Sequence, residues 1–185
     1  MKKICVIGMG YVGLPLAVEF GAIRPVLGFD IDKKRLSELR KGFDRTKEVS
    51  SQKLAKADSL SFTDDKKLIA GHDIFIVTVP TPIDNYKNPN LTPLKDATRI
   101  IGSAIHKGAI IIFESTVYPG CTEEICVPLL EKYSGLKFNK DFYCGYSPER
   151  ANPGDLNNTL INIKKITSGS NEKVAQEIDE LYTSI

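Results

Sequence analysis

Short apolar runs rich in β-branched residues alternate along the chain with stretches whose apolar side chains recur at helical spacing. The runs at 3–7, 26–29, 74–79, 109–113 and 142–146, with a weaker one at 163–167, are apolar on both faces. That pattern predicts strands of a parallel sheet buried on both sides. Helical spacing occupies 12–20, 32–40, 51–58, 94–106 and 122–133, and a last helix is predicted over 172–182, where Val174, Ile178 and Leu181 share a face. Asp64-Asp65-Lys66-Lys67-Leu68-Ile69 offers one more short helical turn. Strict alternation of strand and helix predicts an α/β fold, a doubly wound parallel sheet with helices on both faces.

The first strand-to-helix turn reads Gly8-Met9-Gly10-Tyr11-Val12-Gly13, and Asp30 ends the second apolar run, 17 residues beyond Gly13. Glycines here permit a tight turn, close approach of the backbone to a pyrophosphate, and close packing of helix on strand. The helix N-terminus adds unpaired N–H groups and partial positive charge. An acid ending the next strand is placed to accept from ribose hydroxyls. A lone G-x-G-x-x-G is a common turn; strand, turn, helix, strand and acid in sequence within about 30 residues is the context that gives it a mechanism. The fold expected is therefore Rossmann-type, with Gly8, Gly10, Tyr11, Val12, Gly13 and Asp30 holding a dinucleotide. Asp30 would repel a 2′-phosphate and no Arg follows it directly, so NAD is favoured over NADP.

The 185 residues allow one large domain with a sizeable core. A hydrophobic content of 42% and a charged content of 26% fit a soluble globular chain. No apolar run approaches the roughly 20 residues of a membrane helix, and the first strand begins too early for a signal peptide; a cytoplasmic location is expected. A net charge of +2 is too mild to argue for nucleic acid. Lys33-Lys34-Arg35, Lys66-Lys67 and Lys164-Lys165 read as solvated helix faces and strand ends, with Arg35 alone of further interest. Cys5, Cys121, Cys126 and Cys144 lack the pairing of a zinc site or disulfide framework. Cys121 sits at a helix start, where a thiol pKa can fall, but a structural role is the expectation. His72 and His106 stand without metal or triad partners.

Two long loops break the alternation, 80–93 with four prolines and 147–155, and Glu114-Ser115-Thr116 precedes a third turn at Tyr118-Pro119-Gly120. All three follow strands, at the edge where open α/β sheets bind ligands.

With Leu14-Pro15-Leu16-Ala17 after Gly13, then Thr78-Val79-Pro80-Thr81-Pro82, Glu114-Ser115-Thr116-Val117-Tyr118-Pro119-Gly120 and Ser147-Pro148-Glu149-Arg150 in order, the whole chain resembles the N-terminal NAD-binding domain of the UDP-glucose/GDP-mannose dehydrogenase family. Pro148-Glu149-Arg150 with Asn152-Pro153-Gly154-Asp155 looks like the branch acting on UDP-N-acetylhexosamines, in particular UDP-N-acetylglucosamine for capsular polysaccharide. The resemblance implies oxidation of a sugar C6 alcohol to the carboxylate with two NAD+, through an aldehyde held on a cysteine. It places Asp30 on the adenosine ribose, Arg35 near ribose or phosphate, Thr81 on the cofactor, Thr116 beside the nicotinamide and a reactive water, and Glu149 where a carboxylate orients or activates that water. Arg150 suits a substrate diphosphate or carboxylate, or equally a structural ion pair. By residue chemistry alone, Thr81 and Thr116 also read as turn hydroxyls and Glu149 as a solvated loop acid.

Several positions depart from the family. Ala151 replaces a larger aliphatic residue, Asn90 an Asp, and Pro153 the second glutamate of UDP-glucose enzymes. The nucleophilic cysteine in a G-G-x-C motif, with its preceding Lys and Asn, does not occur. The last helix runs almost to Ile185 without a C-cap glycine, so a longer protein is expected, with 1–185 its NAD-binding domain, a connecting region starting near 171–185, and central helical and C-terminal UDP-sugar domains beyond. The resemblance implies a homodimer for that longer protein. The alternatives are a stand-alone NAD-sensing module and another NAD-dependent dehydrogenase.

Overall fold

The computed structural model describes residues 1–149 and 163–185. Its sheet has seven strands: β1 (Ile4–Ile7), β2 (Val26–Phe29), β3 (Leu60–Thr63), β4 (Ile74–Val77), β5 (Ile110–Phe113), β6 (Tyr143–Tyr146) and β7 (Ser168–Gly169). They lie in the order β3-β2-β1-β4-β5-β6-β7. The first six are parallel, and β7 pairs antiparallel with β6. Ile4 of β1 faces Val26 on one side and Ile74 on the other, so winding proceeds outward both ways from β1 and β4. Between those two strands lies the topological switch point, where such sheets bind ligands.

Successive side chains of each strand enter opposite layers, which explains why the runs are apolar throughout. Ile4, Val6, Ile74, Ile76, Ile110 and Ile112 pack with α1 (Gly13–Gly21), α2 (Lys33–Arg40), α3 (Ser51–Ala55) and α6 (Glu172–Thr183). Cys5, Ile7, Phe75, Val77, Ile111 and Phe113 pack with α4 (Thr92–Gly102) and α5 (Val127–Ser134). Both layers are closed, and the sheet's C-terminal edge carries the loops.

Four stretches differ from the sequence pattern. β3 escapes it because Leu60-Ser61-Phe62-Thr63 is a four-residue edge strand with two partly exposed apolar positions. The run 163–167 forms no strand, and the two-residue β7 follows it in antiparallel sense. The helix expected over 122–133 begins as a π-helical turn, Thr122–Cys126, in which Val127 N–H donates to Thr122 C=O. Pro128 has no N–H to give the carbonyl of Glu124, which disfavours the α register there. The stretch 64–69 forms a turn, Leu68 N–H on Asp65 C=O at 3.1 Å, and not a helix.

Candidate cofactor site

Gly8 leaves β1 with φ +98, a conformation that favours glycine. Its N–H donates to Phe29 C=O at 2.8 Å, and its C=O accepts from the Thr78 hydroxyl at 2.9 Å, so the turn is stitched to both neighbouring strands. A Cβ on Gly13 would lie 1.8 Å from the Gly8 oxygen and 2.3 Å from Thr78 Oγ1, which only glycine avoids. Gly10 differs: a Cβ there would meet nothing within 4 Å. No side chain caps the N-terminus of α1; Leu14 N–H already donates to Gly10 C=O at 3.2 Å and Pro15 has none, so the N–H groups left for another acceptor are those of the turn, Gly10 to Gly13. The turn faces a cleft of about 530 Å³ at the switch point, lined by Gly8, Gly10, Asp30, Thr78, Val79 and Pro80 among others.

Asp30 follows β2, and its carboxylate is oriented by the backbone: Oδ2 accepts from Met9 N–H at 2.7 Å and Oδ1 from Asp32 N–H at 2.9 Å. Each oxygen keeps a further lone pair for a ligand hydroxyl. Arg35 is only 3% exposed. Its Nε donates to Met9 C=O at 2.7 Å and its Nη2 pairs with Asp44 at 2.7 Å. The guanidinium, itself part of the cleft lining, thus braces the glycine turn, and of its three nitrogens Nη1 is buried without a hydrogen-bond partner among the described residues. Burial pushes the Asp44 carboxyl up, but the Thr46 hydroxyl, Val49 N–H and Arg35 outweigh it and hold the group below its ordinary value. Arg45 also lines the cleft and is paired with Asp32 and Glu38. Asp44 and Arg45 carried no signal in the sequence beyond lying in a polar stretch.

Thr81, Thr116 and Glu149 follow β4, β5 and β6, so they leave the parallel sheet at the same edge as Gly8 and Asp30. Thr81 Oγ1 is buried without a hydrogen-bond partner among the described residues. Thr116 is exposed, while its neighbour Ser115 ties the β5 loop to the β4 loop, its hydroxyl donating to Val79 C=O at 2.6 Å. Tyr11 is exposed and Val12 half-buried at the mouth of α1. Arg150, with Ala151, Asn152 and Pro153, lies outside the described residues.

Glu149 lies 3.5 Å from Lys165 Nζ. Lys165 contradicts its reading as a solvated strand-end charge: its side chain is 9% exposed and pairs at 2.6 Å with Glu114, which is fully buried. Tyr182 OH donates to the other Glu114 oxygen. Burial pushes the Glu114 carboxyl up, and Lys165 and Tyr182 offset part of that. The only sequence trace of this network is an acid directly after the apolar run Ile-Ile-Ile-Phe. The four cysteines are buried, and burial raises each thiol, that of Cys126 to about 12. None has the environment of an activated nucleophile. Among the described residues there is no cluster of three metal-ligating side chains, and no helix is long and apolar enough to cross a membrane.

The residues fit a dinucleotide. The cleft has open space over Gly10, a helix start without a side-chain cap and an Asp30 carboxylate oriented by backbone N–H groups, and the loop after β4 adds an unpartnered buried hydroxyl at Thr81; a dinucleotide calls for groups of these kinds.

Comparison with known proteins agrees. Residues 2–185 match the UDP-glucose/GDP-mannose dehydrogenase family, NAD binding domain. The chain is 57% identical over 183 residues to a UDP-N-acetyl-D-glucosamine 6-dehydrogenase of Pseudomonas aeruginosa and 55% identical to one of Salmonella typhi, in each case over 99% of this chain and 43% of the relative. A solved UDP-D-ManNAc dehydrogenase of Pyrococcus horikoshii superposes with a TM-score of 0.90 at 34% identity, over 98% of this chain and 44% of that one. The chain thus spans less than half the length of these relatives. It belongs to the UDP-glucose/GDP-mannose dehydrogenase family, as its NAD-binding domain.

Proposed function

We propose that this chain is the NAD-holding part of a UDP-N-acetylhexosamine 6-dehydrogenase, which oxidises the sugar C6 alcohol to the carboxylate for surface polysaccharide synthesis. The observation that carries the reading is the switch-point cleft, with Gly8, Gly10 and Asp30 on its wall. Support for the substrate class comes from relatives above 50% identity with that activity in their names. In this reading the N–H groups at Gly10 to Gly13 hold the diphosphate, Asp30 the ribose hydroxyls, and the Thr81 hydroxyl a further polar group of the cofactor. Arg35 acts on the cofactor through the turn it braces, since its charge is already matched by Asp44. Thr116, able to donate and accept, stands by the reacting centre, and Glu149 orients or deprotonates a water there; Arg150 is a candidate for the substrate. Bound NAD+ would supply the hydride acceptor for both oxidations. The thiol of a G-G-x-C motif does not occur in the sequence, and the four thiols present are buried, so the chain alone holds NAD without turnover. A cytoplasmic location and a homodimer for a longer protein belong to the same reading.

Isothermal titration tests it. NAD+ is expected to bind saturably and NADP+ at least about tenfold more weakly, a difference of roughly 1.4 kcal/mol. NAD+ with UDP-N-acetylglucosamine is expected to yield no NADH above background. Absence of NAD+ binding contradicts the site, and steady turnover contradicts the statement that no thiol of this chain serves as nucleophile.

A further inference from the structure

Lys165 sits between two carboxylates of different standing. Glu114 is fully buried at the end of β5, 2.6 Å from Lys165 Nζ, and is also held by Tyr182 OH. Glu149, three residues past β6, has a side chain 13% exposed and 3.5 Å from the same Nζ. The ammonium further lies 5.4 Å from the centroid of the Tyr182 ring, within reach of a cation–π contact. Tyr182 is in turn fixed on α6, packed edge-on against Phe20 of α1 at 6.0 Å between centroids. The lysine head is therefore anchored from β5 and α6, two elements that do not carry Glu149.

We propose that Lys165 is the positioning residue of Glu149: anchored on Glu114 and Tyr182, its ammonium holds the Glu149 carboxylate in place at the sheet's C-terminal edge. The proposal rests on the role given to Glu149 above. A carboxylate that orients water needs a fixed direction, and a glutamate on a loop loses rotamer freedom only if something holds its end. Glu114 requires a cation for its own burial, since an unpaired buried carboxylate is costly. Lys165 satisfies that requirement and has N–H capacity left for a second acceptor. One buried charge thus fixes a half-buried one beside the cofactor edge, and a run of two lysines that looked solvated contains a constrained member.

Side-chain dynamics of Glu149, measured by deuterium relaxation of its methylenes, tests this on the chain itself. In the unmodified protein the order parameter is expected to be that of a fixed side chain, and to fall measurably when Lys165 is removed. Lys165→Met alone strands Glu114, so the decisive variant is Glu114→Gln with Lys165→Met, in which no buried charge lacks a partner. Glu114→Gln alone keeps the cation and is expected to keep Glu149 ordered, and Lys165→Arg is expected to preserve the order. If Lys165 serves only to neutralise Glu114, the double variant leaves Glu149 as ordered as before, and that result overturns the proposal. NAD+ titration of the unmodified protein separates the two claims: failure to bind removes the cofactor reading, whereas an unchanged Glu149 order removes the role of Lys165 alone.

Discussion

Gly10 and Gly13 constrain different things. A methyl at Gly13 would collide with the Gly8 carbonyl and Thr78, forcing α1 away from the turn. Gly13→Ala is therefore expected to cost about 3 kcal/mol in urea unfolding, the upper end of overpacking effects, and to abolish NAD binding with it. A methyl at Gly10 meets no protein atom, so Gly10→Ala is expected to unfold within about 0.5 kcal/mol of the parent yet bind NAD+ at least about tenfold more weakly. Equal affinity in Gly10→Ala would show that the space over Gly10 is not used. Asp44 makes a separate case. It matches the buried Arg35 that braces the turn, so Asp44→Asn is expected to cost about 3 kcal/mol at neutral pH by leaving a buried cation unpaired. Because the folded Asp44 carboxyl lies below its ordinary 3.8, its contribution is complete above that value and lost as pH falls through the lowered one. The stability gap between parent and Asp44→Asn, read by urea unfolding from pH 7 to pH 2.5, should narrow below about pH 4.

Elements with a strong local pattern could be read from the chain, and those defined by their neighbours could not. β1, β4 and β5 are four-residue apolar blocks because both faces are covered, and α1 is announced by its glycine turn. β3 and β7 owe their existence to pairing with β2 and β6 and have little hydrophobic signal of their own. The candidate site divides in the same way. Gly8, Gly10, Gly13 and Asp30 are legible because a turn and a strand end fix them within one βαβ unit. Lys165 is not, since its partner Glu114 is 51 positions away and a lysine beside a lysine reads as surface. α6 is the element that joins the two, packing Val174, Ile178 and Leu181 into the core and carrying Tyr182 to Glu114. Its N-cap Asn171 accepts from Val174 N–H at 3.0 Å. Asn171→Ala is expected to lower stability by about 1 kcal/mol in thermal or urea unfolding; no loss would mean that packing, and not capping, sets the start of α6.

At the scale of the whole molecule, the parallel sheet gathers what the chain keeps apart. Residues from 8 to 149 leave the described strands at one edge because β1, β2, β4, β5 and β6 run the same way. Helices close both faces, so that edge is where a ligand can reach backbone N–H groups and oriented carboxylates together. The most direct test of this account is a titration of the 15N-labelled chain with NAD+, followed by amide chemical shifts. The amides of Gly8, Gly10, Tyr11, Val12, Gly13 and Asp30 are expected to shift together and saturate with one dissociation constant. Saturable shifts confined to another surface, or none at millimolar NAD+, would contradict the placement of the cofactor in the switch-point cleft.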